Sequence, residues 1–410
     1  MNSPDSRYGW RAPALVLLAG CVIATVGFGI RSIFGLFLEP MTVDRGWSRE
    51  AFALAMAIQN LFWGLGLPVA GALADKFGPV RVIAAGTVLY ALGIFGMTLS
   101  ESVFVFQFTA GILTGIGVSF TAFSLALASM VRVVGAHKRS LVLGLGTAAG
   151  SFGQVLFSPL AQGFIGAYGW SHSLLLLAAI TTVLIPLAMV LPNDPALSQD
   201  HNDDQSLMQA LQEALSHRGY VLLTLGFFVC GFHVAFITVH FPAYVKDLGL
   251  DPAIGAYAIS VVGLLNIFGS FASGYFGQHW SKKLGLSFIY FARSLAILFL
   301  IMAPKTETNI LLFAALMGIL WLSTVPLTTG IVAQVFGVRY MATLFGIVFL
   351  SHQVGSFIGV WLGGRIFDQT GSYNGMWWAG VFFGLLAALV HLPINEKPLA
   401  RLDESAAQRS

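Results

Sequence analysis

Charge is what this sequence has least of. Asp, Glu, Lys and Arg make up 10% of its 410 residues, hydrophobic residues make up 57%, and mean hydropathy is +0.81. That is too little polar material to cover the surface of a water-soluble chain of this length. The net charge of +3 is scattered over loops, so there is no basic face for nucleic acid. Cysteine is nearly absent. Cys21 and Cys230 lie in apolar runs without disulfide or metal-ligand spacing, and read as packed thiols. The sequence contains no P-loop, nucleophile elbow, metal-binding pattern or pair of intramembrane carboxylates. These absences argue against an enzyme, against an ATP-driven pump of the P-loop type, and against any cofactor or metal. The polar start Met1–Arg11 precedes an apolar run too long for the core of a cleaved signal peptide.

Long apolar runs are what the chain has in abundance, with 46 Gly and 34 Phe, as suits helices packed closely in lipid. Runs able to cross about 30 Å of hydrocarbon predict twelve spans. Six lie at Pro13–Leu38, Ala51–Ala74, Val80–Leu99, Val103–Val131, Leu141–Tyr168 and Leu174–Leu191. Six more lie at Tyr220–Val245, Ile254–Gly277, Leu284–Ala303, Ile310–Phe336, Ala342–Phe367 and Gly375–Leu392. An even count puts both termini on one side. With that side inside, inner segments hold Arg7, Arg11, Lys76, Arg81, Arg132, Lys138, Arg139, Arg218, Lys282, Lys283, Arg339, Lys397, Arg401 and Arg409; outer ones hold Arg45, Arg49, Lys246, Lys305 and Arg365. The imbalance predicts cytoplasmic termini and residence in the cell (inner) membrane.

The expected organisation is all-α: an N-terminal six-helix bundle over 1–191, a cytoplasmic linker over 192–217, and a C-terminal six-helix bundle with its tail over 218–410. The linker begins acidic, with Asp194, Asp200, Asp203 and Asp204. It ends with Leu207, Leu211 and Leu215 at helical spacing, which predicts a short amphipathic helix on the inner face. The halves look duplicated. Gly71 aligns with Gly274, Gly27-Phe28 with Gly231-Phe232, and Gly150-Ser151-Phe152 with Gly355-Ser356-Phe357, at offsets of 203, 204 and 205. Two homologous bundles can rock around a shared central site. Because one chain holds both, a monomer is expected.

The segment Gly71-x-x-x-Asp75-Lys76-x-Gly78-x-x-Arg81, between the second and third spans, resembles the signature of the major facilitator superfamily. A weaker copy runs from Gly274 to Lys283, with Gln278 at the aspartate position. Phe34-Gly35-Leu36-Phe37-Leu38-x-Pro40, Gly46-Trp47-Ser48-Arg49, Lys138-Arg139-Ser140-Leu141-x-Leu143-Gly144 and Tyr168-Gly169-Trp170 resemble bacterial members of the monocarboxylate and oxalate/formate porter group. The resemblance implies the major facilitator fold, with gating roles for Gly71, Asp75, Gly78 and Arg81. It also implies a carboxylate-binding arginine in the eighth span. There the chain departs: Ile254–Gly277 has no basic residue, and Ser270 beside Asn266 stands at the matching position.

Arg31 is the sharpest candidate for substrate binding. A guanidinium at membrane depth is costly unless it meets a polar cavity or partner, and its forked donors suit a carboxylate. Snorkelling, or pairing with Glu39, is the alternative. His233 and His240 share one face of the seventh span, and His233 could join Arg31 in the cavity. His352 and Gln353 lie in the eleventh span. A histidine can exchange protons near neutral pH, which suits proton coupling, since no carboxylate lies deep within a span. Asn60, Asn266 and Gln334 extend the candidate pocket, with Gln59 and Gln154 as further amides. Phe28, Trp63, Tyr257 and Trp321 are possible walls. Arg293, in the ninth span, reads as structural, capping carbonyls near the inner face.

These features predict an alternating-access carrier for a small organic anion, a monocarboxylate or related acid, with possible proton coupling. Efflux of amphipathic metabolites or drugs is a second transporter reading. A transporter-derived ligand sensor is a third, from another class.

Overall fold

The computed structural model describes residues 13–121, 123–134, 139–193, 206–337 and 339–400. Arg7, Arg11, Lys138, Arg401, Arg409 and the linker aspartates Asp194, Asp200, Asp203 and Asp204 lie outside them. The described chain is helical. Membrane-crossing helices are α1 (Pro13–Ser32), α2 (Arg49–Phe77), α3 (Pro79–Leu99) and α4 (Val103–Val131). The run Arg139–Thr182 with Leu184–Val190 supplies α5 and α6. Then come α7 (Arg218–Asp247), α8 (Pro252–His279), α9 (Lys282–Met302), α10 (Glu307–Phe336), α11 (Met341–Thr370) and α12 (Asn374–His391).

Arg139–Thr182 is one helical stretch of 44 residues. As a straight helix it would be about 66 Å long, twice the hydrocarbon thickness. It turns at Gly169, whose φ of 75° suits glycine. Beyond the turn, the Trp170 indole donates to Asp44 at the far end of α1, 3.2 Å away. The run ends where Asn193 Oδ1 accepts the Val80 N–H at the start of α3 (3.2 Å). So 139–168 is α5 and 170–190 is α6. Eleven stretches among the described residues are long and apolar enough to cross a membrane, one of them holding both α5 and α6. Division at Gly169 makes twelve.

The core of the second half draws no buried residue from α1–α6, whereas that of the first half also takes in Ala235, Val239 and Ala243 of α7, Ala256 of α8 and Val360 of α11. The duplication is visible in the packing. In the first half a Cβ on Gly29 (α1) or Gly153 (α5) would collide with the other's backbone, and Thr25 Oγ1 donates to the Ala149 carbonyl at 2.9 Å. In the second, Gly355 and Gly359 of α11 meet the backbone of α7 as closely, and Ser351 Oγ donates to the Thr224 carbonyl at 2.9 Å.

Three departures from the sequence reading bear on function. First, α1 does not end at Leu38: a 3-10 turn, Phe34–Phe37, leads into a helical segment, Leu38–Arg45. Arg31 therefore lies about four helical turns short of that end, and Glu39 pairs with Lys246 at 2.7 Å rather than with Arg31. Second, α10 breaks between Glu307–Leu320 and Thr324–Phe336. Asn266 Oδ1 accepts the Leu322 N–H (2.9 Å), Ser273 donates to the Ser323 carbonyl, and Arg293 donates to the carbonyls of Leu320 and Trp321. Arg293 does cap carbonyls, but halfway along α9 rather than near the inner face. Third, the linker helix Leu207–Ser216, closed by a capping box of Ser206 and Gln209, buries Ala210 and Ala214 and packs Leu211 on the core. Leu207, Met208 and Leu215 stay exposed.

Candidate functional site

The centre of the molecule holds a polar chain that crosses between the halves. Arg31 Nη2 donates to Asn60 Oδ1 at 2.5 Å, and Asn60 Nδ2 is anchored on the Met56 carbonyl of its own helix at 2.8 Å. From α11, Gln353 Nε2 donates to the backbone carbonyl of Asn60 at 2.8 Å, while its Oε1 meets His352 Nδ1 at 3.0 Å. Gly64, one turn beyond Asn60, makes the approach possible, since a Cβ there would strike the Gln353 side chain. Asn60, His352 and Gln353 are buried, whereas Arg31 is half-buried.

No carboxylate pairs with Arg31 among the described residues. Asn60 is its single hydrogen-bond acceptor there, and its remaining N–H groups are not sealed in the protein. The charge is instead softened by aromatic faces, with the guanidinium carbon 4.1 Å from the Trp63 ring centroid and 5.9 Å from that of Phe28. Phe349 of α11 meets Trp63 edge-on at 5.4 Å and stacks on His352. A small cavity borders the guanidinium, lined from α1 and α2 by Phe34, Gly35, Met56, Gln59 and Asn60, and from α7 by Ala235, Thr238 and Val239. Arg31 is thus a cation without an anion, at the seam between the halves.

Four of the sequence-picked residues, Arg31, Asn60, His352 and Gln353, therefore come together. Three do not join them. His233 Nε2 binds the Gly380 carbonyl at 2.8 Å, so its ring faces α12 within the second half instead of Arg31. His240, on the same face, is held by Tyr373 and the Val360 carbonyl. Asn266 donates to Ser151 of α5 at 2.9 Å and accepts from Ser270 and the α10 break, forming a second bridge between the halves. Gln334 lies at the end of α10, where it accepts from Lys282 Nζ at 2.6 Å and donates to the Glu396 carbonyl. Period alone placed these three in spans; the neighbouring helix decided where each pointed.

The two ends of the molecule differ. At the far end, away from Pro13 and His391, Arg49 forks onto both oxygens of Asp247 at 2.6 Å, donates to the Tyr373 hydroxyl and lies over Phe367. Asp368 of α11 accepts the backbone N–H groups of Arg49 and Glu50, capping α2 from the opposite half. Lys246–Glu39 adds a second ion pair across the halves. The sequence marked these charges only as loop residues; their position at the ends of apolar runs was the available signal. At the termini end, Gly78 closes α2 with a φ of 87° and packs against Asn193 so tightly that no Cβ fits. A Cβ added to Gly71 would have nothing within 4 Å, and neither would one on Gly346 of α11. Asp75 and Arg81 are exposed, and neither makes a hydrogen bond or ion pair among the described residues.

The sequence matches the Major Facilitator Superfamily over residues 18–360. Relatives include monocarboxylate transporter 13 of Rattus norvegicus, 26% identical over 411 residues, covering 95% of this chain and 90% of that protein. An uncharacterized MFS-type transporter, YcxA of Bacillus subtilis (strain 168), is 26% identical over 399 residues, covering 94% and 96%. Among solved structures, a bacterial homolog of the human lysosomal transporter Spinster, inward-facing and unoccupied, superposes with a TM-score of 0.73 at 14% identity, covering 94% and 97%. That structural likeness speaks for the fold alone. Twelve membrane helices in two duplicated halves, with this match across the chain, make it a multi-pass membrane transporter, not an enzyme, and a member of the Major Facilitator Superfamily.

Proposed function

We propose that this transporter carries a small organic anion, a monocarboxylate or related acid, across the cell membrane by alternating access, with Arg31 as the carboxylate anchor. The observation that carries this reading is the guanidinium at the seam of the halves, with free donors and no acid paired to it among the described residues. Such a cation is tolerated at membrane depth when it faces a wet or ligand-filled space, and it offers two parallel N–H groups to one carboxylate. The relatives named monocarboxylate transporters support the same substrate class. Asn60, Gln353 and His352 form the rest of the site. Where transport is coupled to protons, His352 is the titratable group joined to the anchor through Gln353 and Asn60. His233, Asn266 and Gln334 serve packing and helix bridging. Gly71, Asp75, Gly78 and Arg81 act as the latch of the termini end, which the positive-inside balance places in the cytoplasm. One chain contains both halves and works as a monomer.

The test is uptake of labelled monocarboxylates into liposomes holding the purified chain. Arg31→Ala should lower uptake at least about 100-fold, the loss of a charge-assisted bidentate contact of roughly 3 kcal/mol. Arg31→Lys, which keeps the charge but not the fork, should retain a measurable fraction. Undiminished uptake in Arg31→Ala refutes the anchor.

A further inference from the structure

We infer that the preferred substrate is a monocarboxylate with a flat aromatic body, and that Trp63 and Phe349 set this preference. The inference rests on Arg31 as the anion anchor. A carboxylate held by two parallel N–H groups lies in the plane of the guanidinium. The Arg31 guanidinium lies over the indole of Trp63, its central carbon 4.1 Å from the ring centroid. The carbon body of the bound anion is then carried along the indole. Phe28 of α1 also lies near the guanidinium, its centroid 5.9 Å from the central carbon, and Phe349 of α11 meets Trp63 edge-on at 78°. Rings from both halves thus gather at Trp63 and the Arg31 cation beside it, and a flat apolar body buries more surface against them than a short hydroxy acid can.

Two further observations narrow the class. Trp63 is nine-tenths buried, and its indole N–H has no acceptor among the described residues. Burying such a donor is costly without a partner, and an oxygen on the anion that reached the edge of the indole would satisfy it. Nor, among the described residues, does a second cation line the cavity at Arg31. Arg293 is committed to the Leu320 and Trp321 carbonyls, and Arg49 to Asp247 at the far end. A dicarboxylate would carry one charge uncompensated at membrane depth.

The experiment uses the full chain in liposomes, with labelled phenylacetate and lactate as substrates and unlabelled succinate as competitor. Phenylacetate should half-saturate at a concentration at least about tenfold below lactate, in line with burial of one ring, and succinate should not compete. In Trp63→Leu and in Phe349→Leu the phenylacetate-to-lactate ratio should fall to within about threefold. That ratio, read on the same vesicles, does not depend on how much protein folds; the milder Trp63→Phe and Phe349→Tyr should keep most of it. Equal half-saturation in the unmodified chain, an unchanged ratio in both leucine variants, or competition by succinate overturns the inference. If both anions are taken up alike and both depend on Arg31, this inference alone falls. If uptake survives Arg31→Ala, the anchor falls with it.

Discussion

The two ends of this transporter carry similar charges and use them differently. At the far end, acids of the second half hold bases and helix ends of the first: Asp247 grips Arg49, and Asp368 caps the start of α2. Lys246 of the second half in turn holds Glu39 of the first. At the termini end Asp75 and Arg81 stand exposed, and a Cβ added to Gly71 of α2 or Gly346 of α11 would meet nothing within 4 Å. Both ends of α2 and α11 cannot be close together when two rigid bundles pivot about contacts in the middle. On the alternating-access reading proposed above, the ion pairs of the far end hold that end shut and must break before it opens.

The comparison can be broken most forcefully at Arg49. Arg49→Ala removes a half-buried bidentate pair together with the Tyr373 and Phe367 contacts. It should cost the far-closed form about 2 kcal/mol, a shift of roughly 30-fold towards far-end opening. Spin labels at the far ends of α2 and α11 would report it as a longer-distance population; an unchanged distance distribution would remove Arg49 from the latch. Lys246→Met should act in the same direction but by less than about 1 kcal/mol, because the lysine side chain is 45% exposed. Its effect should fade in high salt, measured with the same labels. Smallest of all is the effect of Asp75→Asn on this arrangement. Thermal stability should move by less than about 0.5 kcal/mol, since no contact is lost, while the transport rate drops if Asp75 pairs in the opposite state. A large loss of stability would show that Asp75 is already engaged.

Much of the fold was legible before the structure. Apolar runs located twelve spans because lipid tolerates little but long apolar helices, and recurring Gly-Phe and Gly-Ser-Phe groups exposed the duplication. Part of the site was legible for a related reason: a charge such as Arg31, or an amide such as Asn60 or Gln353, is rare at membrane depth and so conspicuous. Direction was not legible. His233 satisfied the same criteria as His352, yet its ring turns to the Gly380 carbonyl. Gln334 was placed in the pocket from its span, but Lys282 and Glu396 hold it at the helix end. The break in α10 was missed although Pro326, which has no N–H to donate to the Leu322 carbonyl, marks a helix start there; Asn266, Ser273 and Arg293, remote in sequence, bond the backbone groups it frees.

Composition and order of residues alone determined that this chain lives in lipid, crosses it many times and consists of two related halves. Transfer of apolar surface and backbone from water is a sum over local segments, and every segment states its own share. Tertiary structure alone decided that Arg31 meets Asn60 and Trp63 instead of Glu39, that Gln353 reaches across from the other half, and that Arg49 closes the far end on Asp247. Those outcomes depend on which helix faces meet. Electrostatic and hydrogen-bond energies at a seam fall off within a few ångströms, so they are set by rotation and depth of partners that no single segment encodes.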